Sequence, residues 1–246
     1  INDNISEDDK NKLVEFIKTP GVRFTQHVNV RKFEEEWSSW LGANHTTYVN
    51  SGASANWIMA SILKEVTGPG EVILSPFGWV SDVVPFLVNG FKPVFVDVDM
   101  HNMSSSTDAI IEAITENTKA VLMVHILGFN GLTEKLMSVL DQKGIMLIED
   151  CCESHGATFN GRKIGTFGAM SNFSFYFGHH MTTIEGGTVC TNDPTIHDLA
   201  RMFRSHGMTR EASDVTQDYY KANYPDLNPL FTFAVPGFNV RSHELC

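Results

Sequence analysis

The chain has 246 residues, 42% of them hydrophobic and 19% charged, with a net charge of −11; this suits one large domain, or one domain and part of another. An acidic balance with a sequence pI of about 5.3 offers no basic footprint for nucleic acid or an anionic membrane surface. The longest near-apolar stretch, "AVLMVHILGF" (120–129), is interrupted by His125 and falls short of the roughly 20 residues that span a bilayer, so neither nucleic acid nor membrane is an expected partner.

"SEDDKNKLVEFIKT" places acidic residues ahead of Leu13, Phe16 and Ile17 at helical spacing and stops at Pro-Gly. It predicts a helix within an N-terminal arm (1–25), ahead of a large domain over 26–246. "VRKFEEEWSSWLGA" repeats the logic, with Val30, Phe33, Trp37, Trp40 and Leu41 on one face and Gly42 as the end signal. "HTTYVNSGASANWIMASILKEV" reads as a strand, a small-residue turn and a helix. From 71 the pattern alternates: strand "EVILSP", helix "GWVSDVVPFLVNG", strand "KPVFVDVD", helix "STDAIIEAITENT", strand "KAVLMVHI", helix "GLTEKLMSVLDQKG", strand "IMLIED". Short apolar strands separated by amphipathic helices predict an α/β fold, a mostly parallel sheet covered by helices on both faces. After about 190 the pattern weakens, and 208–240 predicts an irregular excursion rich in aromatics and prolines.

Cys151, Cys152, Cys190 and Cys246 form neither a disulfide framework nor a CxxC pair, and no signal-peptide pattern opens the sequence; a reducing cytoplasm is the expected location. The chain starts without Met and stops at "NVRSHELC", read as the opening of a helix, so a fragment or processed form of a longer protein is expected.

In parallel sheets, ligands gather beyond the carboxyl ends of the strands. Gly52, Ala53 and Ser54 open a helix there, where free amides and the helix dipole suit a phosphate; a simple cap accounts for them equally. Asp150 ends "IMLIED". It suits either the N-cap of a following helix or a carboxylate that keeps a pyridine nitrogen protonated. Trp79 is either a core residue or an indole laid on a flat ring. Ser174 ends "NFSF" and offers a hydroxyl to a phosphate. Glu153 and His155, just beyond Asp150, reach the same cleft or are a surface Glu and a packed His. His27, His45, His101 and His125 show no metal-ligand spacing, so no metal is expected. Together, a phosphate cradle, a stacking aromatic, a strand-end Asp and a Ser before a polar loop describe a pyridoxal phosphate site.

"NSGASA", "FGWVSDVVPFLVNGFKPVFVDVD", "VHILGFNG", "EDCCESHGATFNGRKIGTFG", "FSFYFGHHMTTIEGGTVCTND" and "GFNVRSHEL" resemble, in order, the blocks of the DegT-type nucleotide-sugar aminotransferases. The resemblance runs from about residue 20 to the end. It implies the aspartate-aminotransferase type I fold, a homodimer that builds each active site from both subunits, and a smaller C-terminal domain that would follow residue 246. In that family a lysine five residues beyond the serine anchors the cofactor; five beyond Ser174 stands His179. A lysine-free member is similar to the sugar-nucleotide 3-dehydratases. The resemblance therefore implies pyridoxal 5′-phosphate and its pyridoxamine form as cofactor. It further implies a nucleotide-linked 4-keto-6-deoxy sugar as substrate, most closely GDP-4-keto-6-deoxy-D-mannose of deoxysugar (colitose) biosynthesis, and L-glutamate as amino donor.

By position, the resemblance assigns His179 as the base for loss of the C-3 hydroxyl. It assigns the phosphate to Gly52, Ala53, Ser54 and Ser174, the ring to Trp79 and its nitrogen to Asp150. Glu153 stands where the family usually has Gln near the ring hydroxyl, and Asn239 matches a residue that reaches the neighbouring subunit's phosphate. His180 is given no chemistry. An iron-sulfur variant is excluded because "RSHGMTREASDVTQDYY" has no cysteine. An ordinary aminotransferase, or a catalytically inactive regulator with this fold, are the alternatives.

Overall fold

The computed structural model describes residues 5–246, so positions 1–4 of the N-terminal arm lie outside the described residues. In chain order the elements are α1 (Glu7–Lys18), α2 (Val28–Leu41), β1 (His45–Val49), α3 (Gly52–Thr67), β2 (Glu71–Leu74), α4 (Val84–Val88), β3 (Lys92–Phe95), β4 (Val98–Asp99), β5 (Ser104–Ser105), α5 (Thr107–Ala113), β6 (Thr118–Val124), α6 (Glu134–Lys143), β7 (Met146–Asp150), β8 (Thr158–Phe159), β9 (Arg162–Lys163), β10 (Met170–Ser174), β11 (Gly187–Thr191), α7 (Pro194–Arg204) and α8 (Asp214–Asn223).

Seven strands form one sheet in the order β1-β11-β10-β7-β6-β2-β3. β11 runs antiparallel to both β1 and β10, and the β10-β7-β6-β2-β3 ladder is parallel. Six strands therefore end at one edge, and only β11 begins there. The alternation of strand side chains assigns the two faces. Val72, Leu74, Ala120, Leu122, Ile148 and Val49 join one apolar cluster with residues of α3 and α7. Their neighbours Ile73, Val121, Met123 and Leu147 join another with Leu136 and Leu140 of α6 and Ile110 of α5. On that second face, Tyr48, Phe173 and Cys190 meet Val30, Trp37 and Leu41 of α2. Apolar side chains on both faces of one strand require helices on both sides, which is the α/β class read from the sequence.

α1 follows its sequence signals closely. Ser6 and Asp9 form a reciprocal capping box, and no side chain of the helix is buried. Several stretches differ from expectation. The segment 78–90 is not one helix: Pro85 starts a new one, lacking the amide an upstream turn would need, so a short 3-10 turn, Val80–Asp82, precedes α4. The stretch after 190 is more regular than its pattern suggests. α7 is capped by Asp193, whose side chain accepts from the amides of Thr195 and Ile196, and α8 by Ser213. α8 passes through mixed polar and aromatic sequence, which hides its period, whereas α7 buries Ile196, Leu199, Ala200 and Phe203 at helical spacing.

The last residues form bridges rather than a helix. Arg241 pairs with Val49, His243 with Thr25 and Asn239 with Ser205. Glu244, 7% exposed, accepts from the amides of His27 (2.6 Å), Asn29 (2.8 Å) and Val30 (3.0 Å). It thereby caps α2, whose own N-cap residue His27 makes no side-chain cap bond. A carboxylate on these amides satisfies donors that an isolated helix leaves open.

Candidate functional site

The carboxyl edge of the sheet holds the sequence-predicted residues. β1 and β10 end at Val49 and Ser174, and both pair with Gly187 at the start of β11. A Cβ on Gly187 would lie 2.4 Å from the Ser51 carbonyl carbon and 2.6 Å from the Gly52 nitrogen. One on Gly52 would lie 2.7 Å from Cβ of Ser174 and 3.0 Å from its Oγ. Both contacts are closer than real side-chain carbons approach, so the two glycines press the first turn of α3 against Ser174.

Ser51 is the N-cap of α3, its hydroxyl accepting from the Ser54 amide at 3.0 Å. Ser54 Oγ donates to Asn50 Oδ1 at 2.6 Å, which engages that hydroxyl in the cap. The amides of Gly52 and Ala53, at the first two helical positions, have no backbone partner among the described residues. With the buried Ser174 hydroxyl beside them, they form a concave set of donors at the positive end of a 16-residue helix. Such a set accepts a phosphate.

Asp150 is 4% exposed. No helix follows it, so the N-cap reading does not apply; its Oδ1 accepts from the Cys152 amide at 3.0 Å. Oδ2 accepts from Asn56 Nδ2 (2.9 Å) and Asn172 Nδ2 (3.0 Å). A second carboxylate, Asp82, is 3% exposed and shares Asn56: Asn56 Nδ2 to Asp82 Oδ1 is 3.1 Å. Burial, together with the neighbouring Asp150, pushes Asp82 up to about 9. Asp82, Asn56, Asn172 and Cys152 escaped the sequence reading. The available signals were spacing: Asn56 stands one helical turn beyond Gly52, and Asn172 lies two residues before Ser174 on the same strand face.

Trp79 is 75% exposed, so it is not a core residue. Its amide donates to Asp82 Oδ2 at 2.8 Å, which fixes the backbone beneath an indole open to a ligand. Glu153 Oε2 accepts from the Leu127 amide at 3.1 Å, tying the turn after β6 to the loop after β7.

His179 and His180 occupy the 175–186 loop between β10 and β11. His179 is half-buried and its amide donates to the Tyr176 carbonyl at 3.0 Å. Desolvation lowers its pKa below the ordinary imidazole value, and the charges of Glu153 and Asp150 oppose that shift. Its ring lies 5.9 Å from that of Tyr176. His180 is exposed and lies 5.4 Å, ring to ring, from His155. His155 packs against Trp37, Phe173 and Phe175, and its burial pushes it down to about 4. Asn239 bridges to Ser205 on a segment whose Val240 carbonyl accepts from the Asn50 amide at 3.0 Å. It is exposed and lines a groove of about 430 Å³ with Phe24, Thr25, Arg241 and His243.

One further cluster has metal-ligand chemistry: His125, Glu149 and Cys151, with donor atoms within 4.8 Å of one another. All three are buried, and Glu149 already accepts from the amides of Gly165 (2.8 Å), Phe167 (2.9 Å) and Gly168 (2.6 Å). These bonds hold the 165–168 turn onto β7, a structural role for the carboxylate. No helix among the described residues is long and apolar enough to cross a membrane.

The site residues are compatible with a ligand that combines a phosphate and a flat ring with a protonated nitrogen. Comparison with known proteins points the same way. The chain is 33% identical over 227 residues to GDP-4-keto-6-deoxy-D-mannose 3-dehydratase of Yersinia pseudotuberculosis, covering 90% of this chain and 58% of that enzyme. It is 35% identical over 179 residues to GDP-perosamine synthase of Vibrio cholerae, covering 73% and 48%. The chain therefore spans little more than half the length of the dehydratase. A crystal structure of GDP-4-keto-6-deoxymannose-3-dehydratase with a trapped PLP-glutamate geminal diamine superposes with a TM-score of 0.84 at 30% identity, covering 98% of this chain and 63% of that one. The match to the DegT/DnrJ/EryC1/StrS aminotransferase family extends over residues 3–246, and the chain belongs to that family.

Proposed function

We propose that this chain carries the cofactor-binding part of a pyridoxal-phosphate-dependent sugar-nucleotide 3-dehydratase. It removes the C-3 hydroxyl of a nucleotide-linked 4-keto-6-deoxy sugar, with GDP-4-keto-6-deoxy-D-mannose as substrate and L-glutamate as amino donor. The observation that carries this reading is His179: an imidazole stands five residues beyond Ser174, where the resemblance implies that an aminotransferase of the family keeps its anchoring lysine.

When bound, the cofactor supplies an amine and a protonated ring that takes up electrons. The chain supplies the rest. The Gly52 and Ala53 amides and the Ser174 hydroxyl hold the phosphate, Trp79 covers one face of the ring, and Asp150 holds the proton on the ring nitrogen. His179, whose pKa partial desolvation lowers, would take a proton from carbon at an imidazole nitrogen and deliver it to the departing C-3 hydroxyl, which leaves as water. Glu153 and Asp150 favour its charged form while it holds that proton.

An aminotransferase reading needs another lysine at the ring. Lys163 is committed elsewhere: its Nζ donates to the Trp40 carbonyl at 2.6 Å and lies 4.9 Å from the Trp40 ring. That contact favours the dehydratase. The active assembly is a homodimer in the cytoplasm, with Asn239 reaching the phosphate of the neighbouring subunit. Exposed apolar side chains near the site, Phe77, Val80, Leu87 and Val88, support a covered face there. The intact protein, incubated with GDP-4-keto-6-deoxy-D-mannose, L-glutamate and pyridoxal phosphate, is expected to release ammonia and a 3-deoxy sugar nucleotide. A 4-amino sugar as product, with no ammonia, would overturn the proposal in favour of transamination.

A further inference from the structure

Two carboxylates meet behind the cleft, and the hydrogen bonds around them are unequal. Asp150 receives three N–H donors: both side-chain amides, Asn56 and Asn172, and the backbone amide of Cys152. Asp82 receives two, the Asn56 side chain and the Trp79 amide. One nitrogen, Nδ2 of Asn56, bridges both acids and has one hydrogen for each. Its own Oδ1 accepts from Asn172 at 3.0 Å, which fixes the orientation of the amide.

The surroundings of Asp82 supply no fixed counter-charge; on the cleft side Asp150 acts electrostatically with His179, whose own pKa desolvation lowers. α3 faces Asp82 with the neutral Asn56. α4 is "VPFLV" and has no titratable side chain. The 3-10 turn that contains Asp82 otherwise contributes Val80 and Ser81. The groups of β7 and its loop that act electrostatically with it are Asp150 and the Cys152 thiol, itself raised well above its ordinary value by burial and by the two acids. Two buried carboxylates that share one amide donor resist double ionisation, since each charge raises the other's proton affinity. The acid with fewer donors takes the proton.

We propose that Asp82 is a protonated acid that donates a hydrogen bond to Asp150, keeping the pair at a single negative charge and thereby setting how strongly Asp150 holds a ring nitrogen. Asp82 is then a positioning residue: it touches neither ring nor substrate, but tunes the group that does. The same turn carries Trp79, so its backbone bond to the Trp79 amide also sets where the indole stands.

This inference rests on the cofactor reading only in its last step, and the test separates the two. In the protein without added cofactor, infrared difference spectra against Asp82→Asn at neutral pH are expected to show the C=O stretch of one protonated carboxylic acid that the variant lacks. The band should vanish in the wild type as the pH is raised through about 9. A difference spectrum without that band overturns the proposal. Where Asp82→Asn does not fold, Asp82→Ser keeps an acceptor for the Trp79 amide and serves for the same comparison. With pyridoxal phosphate added, the variant should shift the pH at which the bound ring changes its absorbance. An unchanged titration with bound cofactor overturns the tuning role. Loss of the acid band in a protein that never binds pyridoxal phosphate would support the acid pair and overturn only the cofactor reading.

Discussion

Gly52 and Ser174 approach so closely that a single carbon added to Gly52 would stand 2.7 Å from the Ser174 Cβ. The contact joins the first turn of α3 to the end of β10 and holds the Gly52 and Ala53 amides next to the Ser174 hydroxyl. Gly52→Ala must displace either backbone or Ser174. The expected cost is about 1–3 kcal/mol of stability, typical of overpacking, with a larger loss of pyridoxal phosphate affinity. Thermal denaturation and a cofactor titration measure the two separately; wild-type affinity in a folded variant would contradict the cradle.

The two histidines of the 175–186 loop should differ sharply. His179→Asn is expected to lower dehydration by roughly 10²–10⁴-fold, the usual contribution of a general base. His179→Lys should allow a covalent adduct, visible as a shift in cofactor absorbance and fixed by borohydride. His180→Asn should be mild, since His180 is exposed and meets only the His155 ring among the aromatic contacts. Equal losses at both positions would mean that the base has been misassigned.

Glu244 supplies the N-terminal cap of α2 from 214 to 217 residues away in sequence. Glu244→Ala leaves three amides without their acceptor, at a cost of about 1–3 kcal/mol. Glu244→Gln keeps one acceptor oxygen and should recover part of it. A chemical denaturation series that places both variants at the wild-type midpoint would rule out this cap.

Acid should weaken the fold through two buried imidazoles. His155 and His197 are each pushed down to about 4, chiefly by burial; for His197 the stacked His45, 4.5 Å away, adds to the shift. Between pH 6.5 and about 4 the unfolded chain binds protons that the folded chain refuses. Their stabilising contribution is thus fully present above 6.5 and lost as the pH falls towards 4. Asp82 has the opposite sign: its raised folded pKa favours the fold at low pH and that contribution is lost as the pH rises towards 9. Stability is therefore expected to peak near neutrality, with His197→Asn flattening the acid limb and Asp82→Asn the alkaline one. Melting temperatures measured across this range test both; a steep acid limb retained in His197→Asn would discount that residue.

Much of the fold was legible because the sheet alternates apolar side chains and the intervening helices carry their own caps. Residues at the cleft were legible where they followed an apolar strand, as Asp150 and Ser174 do. Asp82 was not: it lies in a turn inside a segment whose apolar run suggests a helix, although Pro85 marks the break locally. α8 was hidden because its cap, Ser213, precedes mixed polar and aromatic sequence; α7 carries its signals openly, with Asp193 and Pro194 ahead of Ile196, Leu199, Ala200 and Phe203.

The sequence by itself determined the α/β class, the family resemblance and the presence of His179 five residues beyond Ser174, because each is written in local period or in the identity of one residue. Only the tertiary structure decided that Asn56 and Asn172 hold Asp150, that Asp82 stands beside it and that Glu244 caps α2. Those contacts join residues up to 217 apart, and hydrogen bonds between distant segments leave no periodic trace in the chain that makes them.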